Sequence, residues 1–200
     1  MKKLLTLRNV LIAAGTFLGI LVFVFSFLAV CRTEGTTLLG TAWVTREHGI
    51  IWGAYKSVTV SGNDTNIHKY DETSPACVLP LIGSIMILLG ALCACLVVVL
   101  GDKISFLKDE KVRKIVLLAC GGLMVLGGIF WFFINLSYAN AMVRDAKAHG
   151  MDNYTTNDAL DALKDGKASY ALVVIGGILA VLGGGSIVAS QFLPDKQLAK

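Results

Sequence analysis

Val78–Leu100 reads VLPLIGSIMILLGALCACLVVVL, a run of 23 residues without Asp, Glu, Lys, Arg or His. A bilayer hydrocarbon core about 30 Å thick takes about 20 helical residues at about 1.5 Å each. This run is long enough to cross it. Three further runs, Val10–Val30, Ile115–Leu136 and Tyr170–Phe192, are equally free of charge. Lipid is therefore the expected solvent for close to half of the chain, and the expected fold is an all-α membrane protein, a left-handed bundle of four transmembrane helices.

The rest of the composition agrees. The chain has 200 residues, 55% of them hydrophobic, and a mean hydropathy of +0.69, well above a soluble domain. No polar segment reaches 50 residues, which leaves no room for a soluble catalytic domain. A single integral membrane domain over residues 1–200 is expected, with outer loops 31–77 and 137–169 and inner segments 1–9, 101–114 and 193–200.

Charge sets the orientation. The three inner segments hold ten basic and four acidic residues, whereas each outer loop holds four basic and five acidic. Short basic loops on the cytoplasmic side follow the positive-inside rule, so both termini are expected in the cytoplasm of a plasma-membrane protein. The basic residues serve to anchor helices against anionic headgroups, and no nucleic acid is expected as a partner. Met1-Lys2-Lys3 before an apolar stretch also opens signal peptides, and Leu28-Ala29-Val30-Cys31 resembles a lipoprotein cleavage box. The apolar core is too long for a signal peptide and Val30 is too bulky before a lipidated Cys, so an uncleaved anchor is expected.

Glycines mark the helix faces. Gly15 and Gly19 form a GxxxG spacing; Gly121, Gly122, Gly127 and Gly128 lie in the third run; Gly176, Gly177, Gly183 and Gly184 lie in the fourth. Small residues let backbones approach where lipid gives little drive for association. The spacing serves packing within one bundle or a face for a second copy; it does not separate the two.

The first outer loop reads as β. Thr36–Val44 is rich in Thr and apolar residues, Arg46-Glu47-His48-Gly49 suits a turn, Ile50–Val60 a strand, and Ser61-Gly62-Asn63-Asp64 a second turn. A small antiparallel sheet is expected on the outer end of the helices, which it needs for stability. The second outer loop reads as helical. The third helix is expected to continue through Ala139–Ala148 until His149-Gly150 stops it, and a short helix Asp158–Asp165 to be capped by Thr156 or Asn157 and ended by Gly166.

Little in the chain points to catalysis. Cys93, Cys95 and Cys120 lie within apolar runs and read as small hydrophobes. Cys31 and Cys77 bracket the first loop; they form either a disulfide that staples its base or two separate thiols. His48, His68 and His149 show no metal-ligand spacing, and no metal or cofactor is expected. Asn63-Asp64-Thr65 and Asn153-Tyr154-Thr155 are glycan acceptor triplets. There is no phosphate loop, no nucleophile elbow and no carboxylate pair in a span. Asn135 is the strongest polar group at depth, and ion pathways normally leave ionisable residues there. A non-enzymatic protein is expected.

The order of cytoplasmic start, β-rich first loop, short inner link, helical second loop and cytoplasmic tail resembles the claudin and peripheral myelin protein superfamily, which includes the amastins. Trp43 followed by Gly49-Ile50-Ile51-Trp52 is similar to that family's first-loop Trp and Gly-Leu-Trp. Leu136–Asp145 is similar to the stretch that ends its third span, and Gly166–Tyr170 to the approach to its fourth. Claudins carry two Cys inside the first loop; here the position of the first is Tyr55, so the staple is lost or moved to Cys31 and Cys77. The tail ends Leu198-Ala199-Lys200, without the hydrophobic ending that scaffold domains grip. The short start and three prolines suit a microbial member.

The resemblance implies a cell-adhesion or membrane-organising protein that self-associates laterally as a homo-oligomer. Its alternatives are an accessory subunit of a transporter or channel, with a membrane-protein partner, and a small oligomeric transporter or pore. Independently of the family, Trp43 and Trp52 suit headgroup-level anchoring or an aromatic patch for a partner.

Overall fold

A computed structural model describes residues 6–28, 31–36, 42–49, 51–61, 64–68, 76–101, 103–165 and 167–193; in the strands the description is of the backbone. Among the described residues there are six α-helices: α1 Leu7–Phe25, α2 Val78–Leu100, α3 Glu110–Trp131, α4 Ile134–Ala148, α5 Thr156–Asp165 and α6 Ala171–Ser190. Four of them, α1, α2, α3 and α6, are long and apolar enough to cross a membrane, as in a multi-pass membrane protein. The chain divides into two compact units, Met1–Val24, Ile82–Trp131 and Ile175–Lys200 in one, and Phe25–Leu81 and Phe132–Val174 in the other.

Local chemistry sets the helix ends. Thr6 accepts the Asn9 amide at 3.3 Å, so α1 starts three residues before its apolar run. It stops at Phe25, short of Val30, in a turn closed by the Leu28 amide on the Phe25 carbonyl. In α2, Pro80 sits in the first turn, where its missing N–H costs nothing. Asp109 accepts the Lys111 amide at 2.9 Å, so α3 begins at Glu110, five residues before Ile115. The acid at this helix start also complements the helix dipole. A short 3-10 turn, Ser105–Lys108, precedes it.

The helix expected to run on from the third span is broken. The chain turns at Phe132–Phe133 and resumes as α4. Helix α4 ends in a Schellman closure: the Met151 amide reaches the Ala146 carbonyl, the Gly150 amide reaches Lys147, and Gly150 has φ +86°.

In the first unit, segments of α1, α2, α3 and α6 pack around Ile12, Ala91, Ala94, Val97, Leu107, Leu117, Cys120, Met124 and Ile187, all buried. The backbones approach at glycines. A Cβ on Gly83 would lie 2.5 Å from the Gly127 carbonyl, and one on Gly127 would lie 2.6 Å from the Gly83 carbonyl. Gly121 and Gly184 are related in the same reciprocal way at 2.7 and 2.5 Å. So are Gly15 and Gly183, with Ser186 Oγ donating across to the Leu11 carbonyl at 3.1 Å. Trp131 is fully buried and donates from Nε1 to Ser84 Oγ at 3.1 Å.

In the second unit, the backbone of the loop before α2 is laid out as four strands, β1 Cys31–Thr36, β2 Ala42–Gly49, β3 Ala54–Ser61 and β4 Asp64–His68, antiparallel in the order β1-β2-β3-β4. Trp43 is opposite Thr36 and Val60, and Ser61 is opposite Asp64. Arg46–Gly49, expected as a turn, is strand: β2 runs to Gly49, which pairs with Ala54. The reversal lies at Ile51–Gly53, where Gly53 has φ +90°, a conformation that glycine adopts without steric cost. Gly62, Asn63 and Gly166, placed by sequence in turns, lie outside the described residues.

Candidate functional site

The second unit gathers the chain's polar and aromatic detail. At the tip of the β2–β3 hairpin, Ile51 is fully buried while Trp52 lies across the end of α1. Trp52 Nε1 donates to Ser26 Oγ at 2.9 Å, and its ring stacks on Phe27 with centroids 5.0 Å apart and planes 2° from parallel. Ser26 is buried, whereas Phe27 is 60% and Trp52 38% exposed. An indole held by one polar bond with an exposed apolar face has the amphipathic character of interfacial aromatics.

Helix α4 carries the second feature. Ser137, Asn140 and Arg144 recur at spacings of three and four, so they share one helix face. Together with Leu136 and with Val78 and Leu79 from the start of α2, they line a cleft of about 150 Å³. Arg144 Nη2 donates to the Ala76 carbonyl at 2.5 Å. Asn140 Oδ1 accepts from the Thr156 hydroxyl at 3.1 Å, which ties α5 to α4. Asn135 accepts from the Tyr170 hydroxyl at 3.1 Å, and the Tyr170 ring meets Tyr138 edge-on at 6.5 Å.

Helix α5 starts with a capping box. The Asp158 amide donates to Thr155 Oγ1 at 3.3 Å, while Asp158 Oδ2 accepts from the Thr155 amide at 2.8 Å and its hydroxyl at 2.6 Å. Thr155 is thus the cap, ahead of the expected Thr156 or Asn157, and the helix begins at Thr156, two residues before the expected Asp158. The hydroxyl first, then the amide, hold the Asp158 carboxyl below the ordinary aspartate range.

The other residues singled out by sequence are dispersed. Cys31 is in β1, opposite His48, with its side chain outside the described residues; Cys77 is fully buried just before α2. Trp43 and Gly49 are in β2, also described by backbone alone. His68 ends β4, and His149 caps α4 with Nδ1 at 2.9 Å from the Asp145 carbonyl. Among the described residues no group of three His, Cys, Asp or Glu is placed to hold a metal ion. Cys93 and Cys95 are exposed and Cys120 is buried.

Of the glycines, Gly19 meets Met124 and Ala91, Gly128 meets the Gly177 carbonyl, and Gly176 meets the Trp131 ring. Gly122, expected among the packing glycines, differs: a Cβ there would meet nothing within 4 Å.

Sequence reasoning missed Trp131 with Ser84, Trp52 with Ser26, and the Ser137–Asn140–Arg144 face. The last was open to a helical-spacing reading of the second loop; the two indole bonds join residues 47 and 26 positions apart and leave no local signal. No protein-family model matches the chain, and no curated protein matches it.

Proposed function

We propose that the chain is a non-enzymatic, claudin-like plasma-membrane protein that organises membrane or cell-surface contacts by lateral self-association. Its strands β1–β4 form an outer sheet and both of its termini are cytoplasmic. The observation that carries this reading is the interior of the first unit. Its helices meet backbone to backbone at three reciprocal glycine pairs, and its buried polar residues, among those described, are Thr16, Ser84, Ser190 and Gln191, none of them charged. Such an interior suits a rigid scaffold better than an ion path, which would place ionisable groups within the spans.

The strand order supports the mode of contact. β1 and β4 are the edges of the sheet, and an edge strand offers unpaired backbone groups to a neighbouring copy. Trp52 and Phe27 hold the hairpin tip at headgroup level, so the edges of neighbouring molecules meet at one depth. Cross-linking in native membranes tests the reading: a ladder of multiples of the monomer is expected, and a monomer unaffected by protein density would overturn it. A single stoichiometric larger partner in mild detergent would favour the accessory-subunit alternative.

A further inference from the structure

The cleft between the start of α2 and helix α4 belongs to neither the packing nor the self-association argued above. Three features give it a chemistry. First, its walls are split: Val78, Leu79 and Leu136 are apolar, while Ser137, Asn140 and Arg144 supply donors along one helix face. Second, Ser137 lines the cleft although the residue as a whole is only 6% exposed, and its hydroxyl, bonded to no other described residue, is open to the cleft and not sealed in the interior. Third, no carboxylate among the described residues pairs with Arg144. The Ala76 carbonyl takes one donor of its guanidinium, and the planar fork has five.

The cleft also lies at the first turn of a helix long and apolar enough to span a membrane. That is the depth at which phospholipid headgroups sit. Its volume is below the roughly 300 Å³ of a pocket for a whole small molecule, which suits the headgroup end of a larger ligand whose tails stay in the bilayer. We propose that this cleft binds the phosphate of an anionic glycerophospholipid, with Arg144, Asn140 and Ser137 as donors and with Val78, Leu79 and Leu136 against the start of an acyl chain. Arginine matches phosphate geometry with two parallel bonds, and the apolar wall distinguishes a lipid from free phosphate. The proposal does not rest on self-association.

The test uses the full-length protein in a non-ionic detergent, titrated separately with phosphatidylglycerol, with phosphatidylcholine of the same chain length and with inorganic phosphate, and read by native mass spectrometry. One phosphatidylglycerol is expected to bind saturably, with the other two weaker by about tenfold or more. Asn140→Asp retains the acceptor for Thr156 and turns a negative charge toward the phosphate; it should weaken phosphatidylglycerol by about tenfold without lowering the thermal midpoint. Ser137→Ala removes a hydroxyl that nothing else engages and should weaken binding several-fold. Lys147→Ala, on the same helix outside the cleft, should leave binding unchanged. Equal binding of the two lipids, saturation by phosphate alone at the same concentration, or wild-type binding by both cleft variants would overturn the proposal.

Discussion

Gly83 and Gly127 stand so close that a Cβ on either would lie within 2.6 Å of the other's carbonyl oxygen. The obstacle is backbone on both sides, and no side-chain rotation relieves it. The α2–α3 contact therefore depends on two hydrogen atoms where any other residue has carbon.

Gly83→Val and Gly127→Val should each destabilise the folded protein while leaving membrane insertion intact. Overpacking of this kind costs about 1–3 kcal/mol or more, and both α2 and α3 stay apolar enough to insert. Unfolding by a denaturing detergent reads the loss. Gly122→Ala and Gly185→Ala, where the new methyl meets nothing within 4 Å, should remain within about 0.5 kcal/mol of the parent.

Trp131→Phe keeps an aromatic ring, smaller than the indole, in the buried slot beside Gly176 and removes the bond to Ser84, so the lost packing has to be separated from the lost bond. A bond between helices in a membrane contributes about 0.6 kcal/mol on average. A double-mutant cycle with Ser84→Ala should return a coupling of that order. A coupling of zero would mean that the indole is held by packing alone.

Trp52→Ala should loosen the first hairpin without affecting insertion. The substitution removes the stack on Phe27, about 0.5–1.5 kcal/mol beyond area burial, and the bond to Ser26. Limited proteolysis of right-side-out vesicles should then cut residues 32–76 faster than in the parent, while Phe27→Leu should fall between the two. Unchanged cutting would mean that Trp52 does not secure the loop.

The α5 cap predicts a pH dependence. The Asp158 carboxyl titrates lower in the folded protein than in the unfolded chain, so its stabilising contribution is complete above the ordinary aspartate pKa and fades as pH falls through the depressed value. Amide protection in Thr156–Asp165, taken relative to the intrinsic exchange rate at each pH, should fall on acidification through that window. Thr155→Ala should weaken protection already at neutral pH and flatten the acid dependence.

Sequence legibility followed the range of the interactions involved. The run Val78–Leu100 coincides with α2 because hydropathy alone defines it. The start of α3 at Glu110 is less visible, since Lys111, Arg113 and Lys114 interrupt the apolar pattern while Asp109 caps the helix. The break at Phe132–Phe133 carries no Pro or Gly, and the four successive aromatics Phe130–Phe133 read as continuous span. In the first loop, Arg46–Gly49 has turn-like composition, yet the reversal falls at Gly53, where Ile51 is buried and Trp52 is engaged by Ser26. Those partners are distant in sequence, so local composition cannot register them. The cap of α5 lies ahead of the expected positions because Thr155, not Thr156 or Asn157, stands three positions before a carboxylate.

Accessibility of the chain ends tests the four-span topology most directly. Peptide tags at each terminus, with a third in the 151–154 turn after α4, are probed with antibody on sealed cells and again after permeabilisation. Two termini that stain only after permeabilisation, with the turn staining on intact cells, are expected. Either terminus staining on intact cells, or a turn reachable only after permeabilisation, would contradict the account.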